Sequence, residues 1–299
     1  MNRPTGEADP PARAVADDAQ LALLLEVTGT PKPGNVDRDH DYPDLRFEHF
    51  VAGAVRAGPG LEALASGGPL GDGFELAVAG MSGQSGGNTQ FGALLALSPL
   101  LGAVAADHRD PDGAGTTDRL DPADVEATVA ETTVDDAVAF YRAFDHVDVA
   151  VGDPPPDVEA PDVRLGGDAE SRLRTRDMAL ADVMAESAEV DGVAAEWTGG
   201  FPRTFDAADG LLDRSGPIAD RVASVYLDLL AEEVDTFVLG QHGRETAEEV
   251  RDRAAAARVG AVDPAALADE FVQREINPGT TADLTTAAVF VALQNGLEV

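Results

Sequence analysis

Apolar residues at Leu21, Leu24, Leu25 and Val27 fall on one side of a 3.6-residue period, and that spacing predicts a helix over residues 12–29. The pattern stops at "TPKPGNVDRDHDYP", residues 30–43. Pro31, Pro33 and Pro43 break any helix there, and Gly34 with Asn35 suits a turn. A second amphipathic pattern follows, with Asp44 at its expected N-cap and Leu45, Phe47, Phe50, Val51 and Val55 as its buried face. "GDGFELAVAGMSG" predicts a third helix. "QSGGNTQFGALLALSPLLGAVAA" is different: Gly86 and Gly87 lead into Asn88 and Thr89, and an almost wholly apolar run follows. A helix apolar on all sides belongs at the centre of its domain.

Beyond this run the chain reads as an acidic surface loop near residues 107–122, then two helices over 121–147 broken near Thr132 and Thr133. A Pro-rich irregular stretch covers 151–168, and helix returns over 169–190. "EWTGGFPRTFD" reads as a loop carrying the only tryptophan. Residues 218–243 predict one long helix, 244–260 and 263–276 exposed helices, and Asn277 opens a loop, a cap and a final apolar helix. Alternating β-branched runs are nearly absent. The expected fold is all-α, a compact single domain of about ten to twelve helices over residues 12–299 after a flexible tail at 1–11.

Composition changes how the charged residues are read. The chain has 55 Asp plus Glu against 21 Lys plus Arg, a net charge of −34, yet only 25% of residues are charged and 44% are hydrophobic. The acid is therefore a coat on a folded body. Such a coat self-repels in dilute buffer, whereas molar salt shrinks the screening length to about 3 Å. This is the signature of a halophile, an archaeon by expectation, and any single Asp starts as adaptation. The net charge argues against nucleic acid and anionic membranes as main partners. With no cysteine, thiolate metal sites and Cys nucleophiles are excluded. The N-terminus lacks the apolar core of a signal peptide, and no 18-residue apolar run exists, so a cytoplasmic location is expected.

Against that background Lys32 stands out as the only lysine, beside 20 arginines. It lies in the first of three loop-to-helix junctions, "TPKPGNVDR", "SGGNTQFG" and "NPGTTADL". Each alone reads as an ordinary turn with an N-cap. Three together, one holding the sole lysine, point to a shared pocket in which helix N-termini receive an anion. Asp235, beside an apolar run, either faces water with Glu232 and Glu233 or needs a partner. Asp283 reads as a first-turn acid favoured by the helix dipole. No phosphate-binding Gly-Lys-Ser/Thr, no dinucleotide glycine motif and no His-Glu-x-x-His is present, and the five histidines are scattered.

In this order the motifs resemble the triphosphoribosyl-dephospho-CoA synthase family. The resemblance runs through Pro31, Lys32, Pro33, Gly34, Val36, Asp37 and Arg38, then Asp44, Leu45 and Phe50. It continues through Gly86–Gly92, Asp235–Thr236 and Asn277–Leu284. Gln90 and Phe91 stand where the family has His and Lys, and Tyr42 where it has His, so the chain looks like an archaeal branch. The resemblance implies transfer of the triphosphoribosyl group of ATP to the 2'-hydroxyl of 3'-dephospho-CoA, with release of adenine and dependence on Mg²⁺. Lys32, Gly34, Arg38, Gly87, Asn88, Thr89 and Gly279 are then expected on the phosphates. Asp37, Asp44 and Asp235 are expected as catalytic carboxylates, and Asp37, Asp235 and Asp283 on the metal. Related ribosyl transfer to another acceptor in archaeal coenzyme synthesis, and nucleotide binding without catalysis, are the alternatives. The expected partners are small molecules; nothing in the sequence bears on oligomeric state.

Overall fold

The computed structural model describes residues 12–107, 119–152, 154 and 158–299; the tail expected over 1–11 and most of the acidic loop lie outside them. All regular structure among these residues is helical. The helices are α1 (Ala12–Thr28), α2 (Phe47–Ala65), α3 (Leu70–Met81), α4 (Phe91–Asp107), α5 (Pro122–Ala130), α6 (Val134–Ala143) and α7 (Glu170–Arg176). There follow α8 (Leu180–Ser187), α9 (Gly192–Gly199), α10 (Pro202–Asp213), α11 (Ile218–Glu232), α12 (Thr236–Arg258), α13 (Pro264–Gln273) and α14 (Gly279–Gln294). A short 3-10 helix spans Val163–Ala169.

α4 takes the central place its sequence predicts, and the final apolar helix α14 is central beside it. α14 packs on α1, α4, α10 and α11, and α4 packs on α14, α5, α2 and α3. Their buried residues join one main core that includes Leu23, Leu61, Phe74, Leu97, Trp197 and Phe290. At about 25 cal/mol per Å² of apolar surface removed from water, this burial is the main term holding the layers together. A smaller core between α11, α12 and α13 contains Tyr226, Leu230, Val250 and Phe271. Among the described residues no helix is long and apolar enough to cross a membrane.

The count of ten to twelve helices is corrected to fourteen α-helices among the described residues, because one expected helix is two and an expected loop belongs to two more, while a third boundary moves without changing the number. The helix expected over 169–190 splits at Asp177, which adopts a left-handed conformation (φ 54°). The expected loop around Trp197 contains the end of α9 and the start of α10, separated only by left-handed Gly200 and Phe201. Trp197 is buried, and its indole N–H donates to Leu95 O at 3.2 Å, tying α9 to α4. The long helix over 218–243 ends at Glu232; Asp235 then caps α12, which continues past a kink at Gly243 to Arg258.

Two smaller expectations at α2 are also corrected. Asp44 is exposed in a bend and caps nothing; α2 starts at Phe47, whose N–H donates to Asp41 Oδ1 at 2.7 Å. Val55 is 59% exposed, while Phe50 is buried.

Candidate active site

The junctions singled out in the sequence meet. The 30–46 loop folds back on the α13–α14 connection, with Asn35 Nδ2 donating to Asn277 Oδ1 at 2.9 Å and Tyr226 Oη donating to Pro33 O at 3.0 Å. Gly34 has φ +80°, and a Cβ there would collide with Ile276 O, so only glycine allows this approach. The start of α4 faces the second turn of α14: Gly92 lies so close to Asp283 that a Cβ would overlap its carboxylate. Between these elements is a cavity of about 650 Å³, within the range of small-molecule sites.

The lining is mixed: Asn35, Asn88, Gln90, Thr236, Asn277 and Thr280 contribute polar groups, and Phe140, Phe144, Val183, Met184 and Val190 contribute apolar surface. The N-termini of α4, α9, α12 and α14 all reach the wall. Thr236 and Thr280 lace three of them together. Gly192 N–H donates to Thr236 Oγ1 at 2.9 Å, the two threonine hydroxyls are 2.9 Å apart, and Phe237 N–H donates to Thr280 Oγ1 at 3.2 Å. Helix N-termini carry positive partial charge, so four of them on one wall favour an anion there.

The ionisable wall is acidic. Glu26, Asp148, Asp162, Glu186, Asp191 and Asp283 line the cavity, and among the described residues no Lys, Arg or His does. Burial, and then the charges of Glu26, Asp191 and Asp235, push the Asp283 carboxyl well above its ordinary range; the Ala93 backbone N–H opposes the shift. Asp191 is open to the cavity yet enclosed by protein. Burial raises its carboxyl, partly offset by hydrogen bonds from Ala194 and Val193 at the start of α9. Glu26, at the last turn of α1, is also raised by burial, while Lys32 pulls it down.

Lys32 is not on the cavity wall. It is fully buried, its Nζ paired with Glu26 Oε1, donating to Asn35 Oδ1 at 3.0 Å, and 5.7 Å from the centre of the Tyr226 ring. Of the residues expected on phosphates, Asn88, Thr89 and Gly279 line the cavity; Lys32, Gly34, Arg38 and Gly87 do not. Arg38 is half-exposed beside Asp39.

The expected carboxylates separate in the same way. Asp37 is buried and consumed by its own loop, accepting from Lys32 N–H at 3.0 Å, Asp39 N–H at 2.8 Å and His40 N–H at 3.0 Å. Asp235 is a cap: Oδ1 accepts from Val238 N–H at 3.0 Å, and Oδ2 accepts from Thr281 N–H and Oγ1 at 2.8 and 2.7 Å. Burial raises its carboxyl and these bonds oppose the rise. Asp44 is exposed and away from the cavity. Asp283 alone of the four lines it, from the second turn of α14 rather than the first. The sequence reading passed over Glu26 and Asp191. Glu26 had a signal, since between Asp18 and Asp37 the only charged residues are Glu26 and Lys32.

Phe91 explains one departure from the family motif. Its ring packs 4.9 Å from Phe144 and 5.2 Å from Phe74, which fills the junction with apolar surface. Gln90 is buried beside it, and neither of its amide atoms has a protein partner.

The family model described as CitG: ATP:dephospho-CoA triphosphoribosyl transferase matches residues 12–298. A Lactiplantibacillus plantarum protein, provisionally named a 2-(5''-triphosphoribosyl)-3'-dephosphocoenzyme-A synthase, is 24% identical over 311 residues, covering 95% of this chain and 98% of that one. A crystal structure from Archaeoglobus fulgidus, of a protein provisionally named a triphosphoribosyl-dephospho-CoA synthase, superposes with a TM-score of 0.65 at 25% identity. It covers 85% of this chain and 100% of its own.

Proposed function

Because the chain belongs to the CitG family of ATP:dephospho-CoA triphosphoribosyl transferases, we propose that the cavity between α1, α4, α9, α12 and α14 is where it transfers triphosphoribose. ATP enters as a magnesium complex, the ribose C1'–N9 bond breaks, adenine leaves, and the 2'-hydroxyl of 3'-dephospho-CoA takes its place on C1'. The observation that carries this placement is the wall itself: carboxylates and four helix N-termini, with no basic side chain among the described residues. A free triphosphate is repelled by such a wall, and metal binding halves its charge and lessens that repulsion.

The donor set fits Mg²⁺ shared with a substrate. Among the described residues no three His, Asp or Glu side chains form a ready-made metal cluster. Mg²⁺ in nucleotide sites needs only one or two carboxylates, the phosphates and water. Asp283 and Asp191 would hold it; burial first, and then the charges of Glu26, Asp191 and Asp235, raise the Asp283 carboxyl, and a cation would relieve the charge part of that shift. When bound, the ion would neutralise phosphate charge. The helix starts at Gly279 and Phe91 would then orient the phosphates, and the apolar side chains of the lining limit the water at the cleaving bond.

In buffer with molar KCl, adenine release from ATP is expected only when dephospho-CoA and Mg²⁺ are both present, and excess chelator should stop it. No adenine with dephospho-CoA, or release only when a cell extract supplies another acceptor, overturns the reading. A second outcome tests the close approach at α4. Gly92→Ala should lower kcat/KM about 10²-fold, the scale of an ångström-level displacement, with helix content unchanged in circular dichroism. Alanine is the better helix former, so a lost helix would not account for the fall. A value within threefold of wild type shows that Asp283 tolerates the shift and is not held there for function.

A further inference from the structure

Transfer to a hydroxyl needs a group that is ionised before the reaction and accepts the hydroxyl proton as C1' is attacked. The carboxylates expected for this role are committed elsewhere: both oxygens of Asp37 and of Asp235 accept backbone or hydroxyl donors, and Asp44 lies outside the cavity. Asp191 Oδ1 caps α9, accepting from Ala194 N–H at 2.9 Å. Glu26 is arranged differently. Its Oε1 is fixed by the Lys32 ammonium, the side chain lines the cavity, and no protein donor satisfies Oε2 among the described residues.

Resting on the reading above, we propose that Glu26 is the general base of the transfer and that Lys32 is its positioning residue. Glu26 Oε2 takes the proton from the acceptor's 2'-hydroxyl as the oxygen forms its bond to C1'. The C1'–N9 electron pair leaves with adenine, a ring nitrogen of adenine is protonated by water, and Glu26 returns its proton to water. The transfer therefore neither consumes nor releases a proton overall.

Lys32 is needed because a buried carboxylate without a counter-charge becomes neutral, and a neutral acid accepts no proton. The groups acting on Glu26 are Lys32, which favours its ionised form, and Asp37, which opposes it. Asp283 and Tyr226 feel its charge in turn. Asn35 restrains the ammonium from the other side and is itself held by Asn277, so the base is registered against the same loop that opens α14.

The test separates binding from chemistry. Glu26→Gln should lower kcat for adenine release about 10²- to 10⁴-fold, the range of general base catalysis, with the Kd for Mg–ATP, measured by calorimetry, within about threefold of wild type. Lys32→Met should likewise act on kcat rather than on Mg–ATP affinity. The double variant Lys32→Met/Glu26→Gln removes both charges, so it keeps the fold and should be as slow as Glu26→Gln alone. Glu26→Asp, which keeps the charge but withdraws the oxygen, should fall between. A kcat within threefold of wild type in Glu26→Gln or the double variant overturns the assignment, as does a loss confined to Mg–ATP binding. A wild-type enzyme that releases no adenine with dephospho-CoA removes the transfer reading itself, and the base with it.

Discussion

Asp283→Asn should abolish transfer and, at the same time, make the free protein more stable at neutral pH. The loss is expected at about 10²- to 10³-fold in kcat/KM, the scale for removing one electrostatic contact to a developing or transferring charge, and Mg–ATP affinity should fall with it. The gain follows from the raised carboxyl. In the unfolded chain Asp283 ionises near pH 4; in the folded protein burial and the charges of Glu26, Asp191 and Asp235 hold its proton to higher pH. Below the unfolded value both states are protonated and the wild type carries no penalty. As pH rises past it, only the unfolded state ionises freely, so wild-type stability falls until pH passes the folded value. Asparagine removes that penalty. Thermal unfolding without ATP should show a variant Tm several degrees above wild type at pH 7.5, with the difference shrinking toward pH 4.5. Equal Tm values at pH 7.5 would mean that the folded protein ionises Asp283 without strain. Gain of stability with loss of function is the usual trade at a site built for a ligand.

The helical class and the central place of α4 were legible because the spacing of apolar residues reports burial directly. What periodicity could not report is where a helix stops without losing its pattern. Asp235 is the instructive case. The run from Ile218 onward stays amphipathic across Glu232–Phe237, so the pattern reads as one helix. The break comes from tertiary contacts to Thr281 on α14, forty-six positions away in sequence, and that distance is invisible to a local reading. Trp197 fails for a related reason. Gly199–Pro202 looks like a loop, yet two left-handed residues suffice to turn the chain, leaving helix on both sides.

At the site, composition singled out Lys32 and placed it in the wrong surroundings. A chain with a single lysine made Lys32 conspicuous, and its Pro/Gly loop suggested an anion in the cavity. The structure seats it on an internal anion, Glu26. The one lysine of this acidic chain is fully buried and has no surface to be on. The carboxylates were harder to sort, since 55 acids give every short motif an Asp. Only the hydrogen-bond inventory separates Asp37 and Asp235, whose oxygens are occupied, from Asp283, Asp191 and Glu26, which face the cavity.

Lys32→Met should be among the most destabilising single substitutions in the protein. Removing one partner of a buried ion pair leaves the other charge uncompensated, at about 3–5 kcal/mol, because Glu26 is 2% exposed and its only ionic partner among the described residues is Lys32. Neutralising the remaining partner in Lys32→Met/Glu26→Gln should return most of that stability, since replacing both members of a buried pair is often neutral or better. The resulting coupling in a double-mutant cycle, read by denaturant unfolding, is therefore large and positive. Salt supplies an internal control. Buried pairs are screened far less than exposed ones, so the Lys32→Met penalty should be the same in 1 M and 3 M KCl. The more exposed Arg253–Glu270 pair, broken by Arg253→Met, should contribute at most about 1 kcal/mol and less as salt rises. A Lys32→Met penalty below about 1 kcal/mol, or one that vanishes in high salt, would mean that water reaches the pair. Recovery of stability in the double variant without recovery of transfer is the combination expected of a lysine whose task is to hold a base.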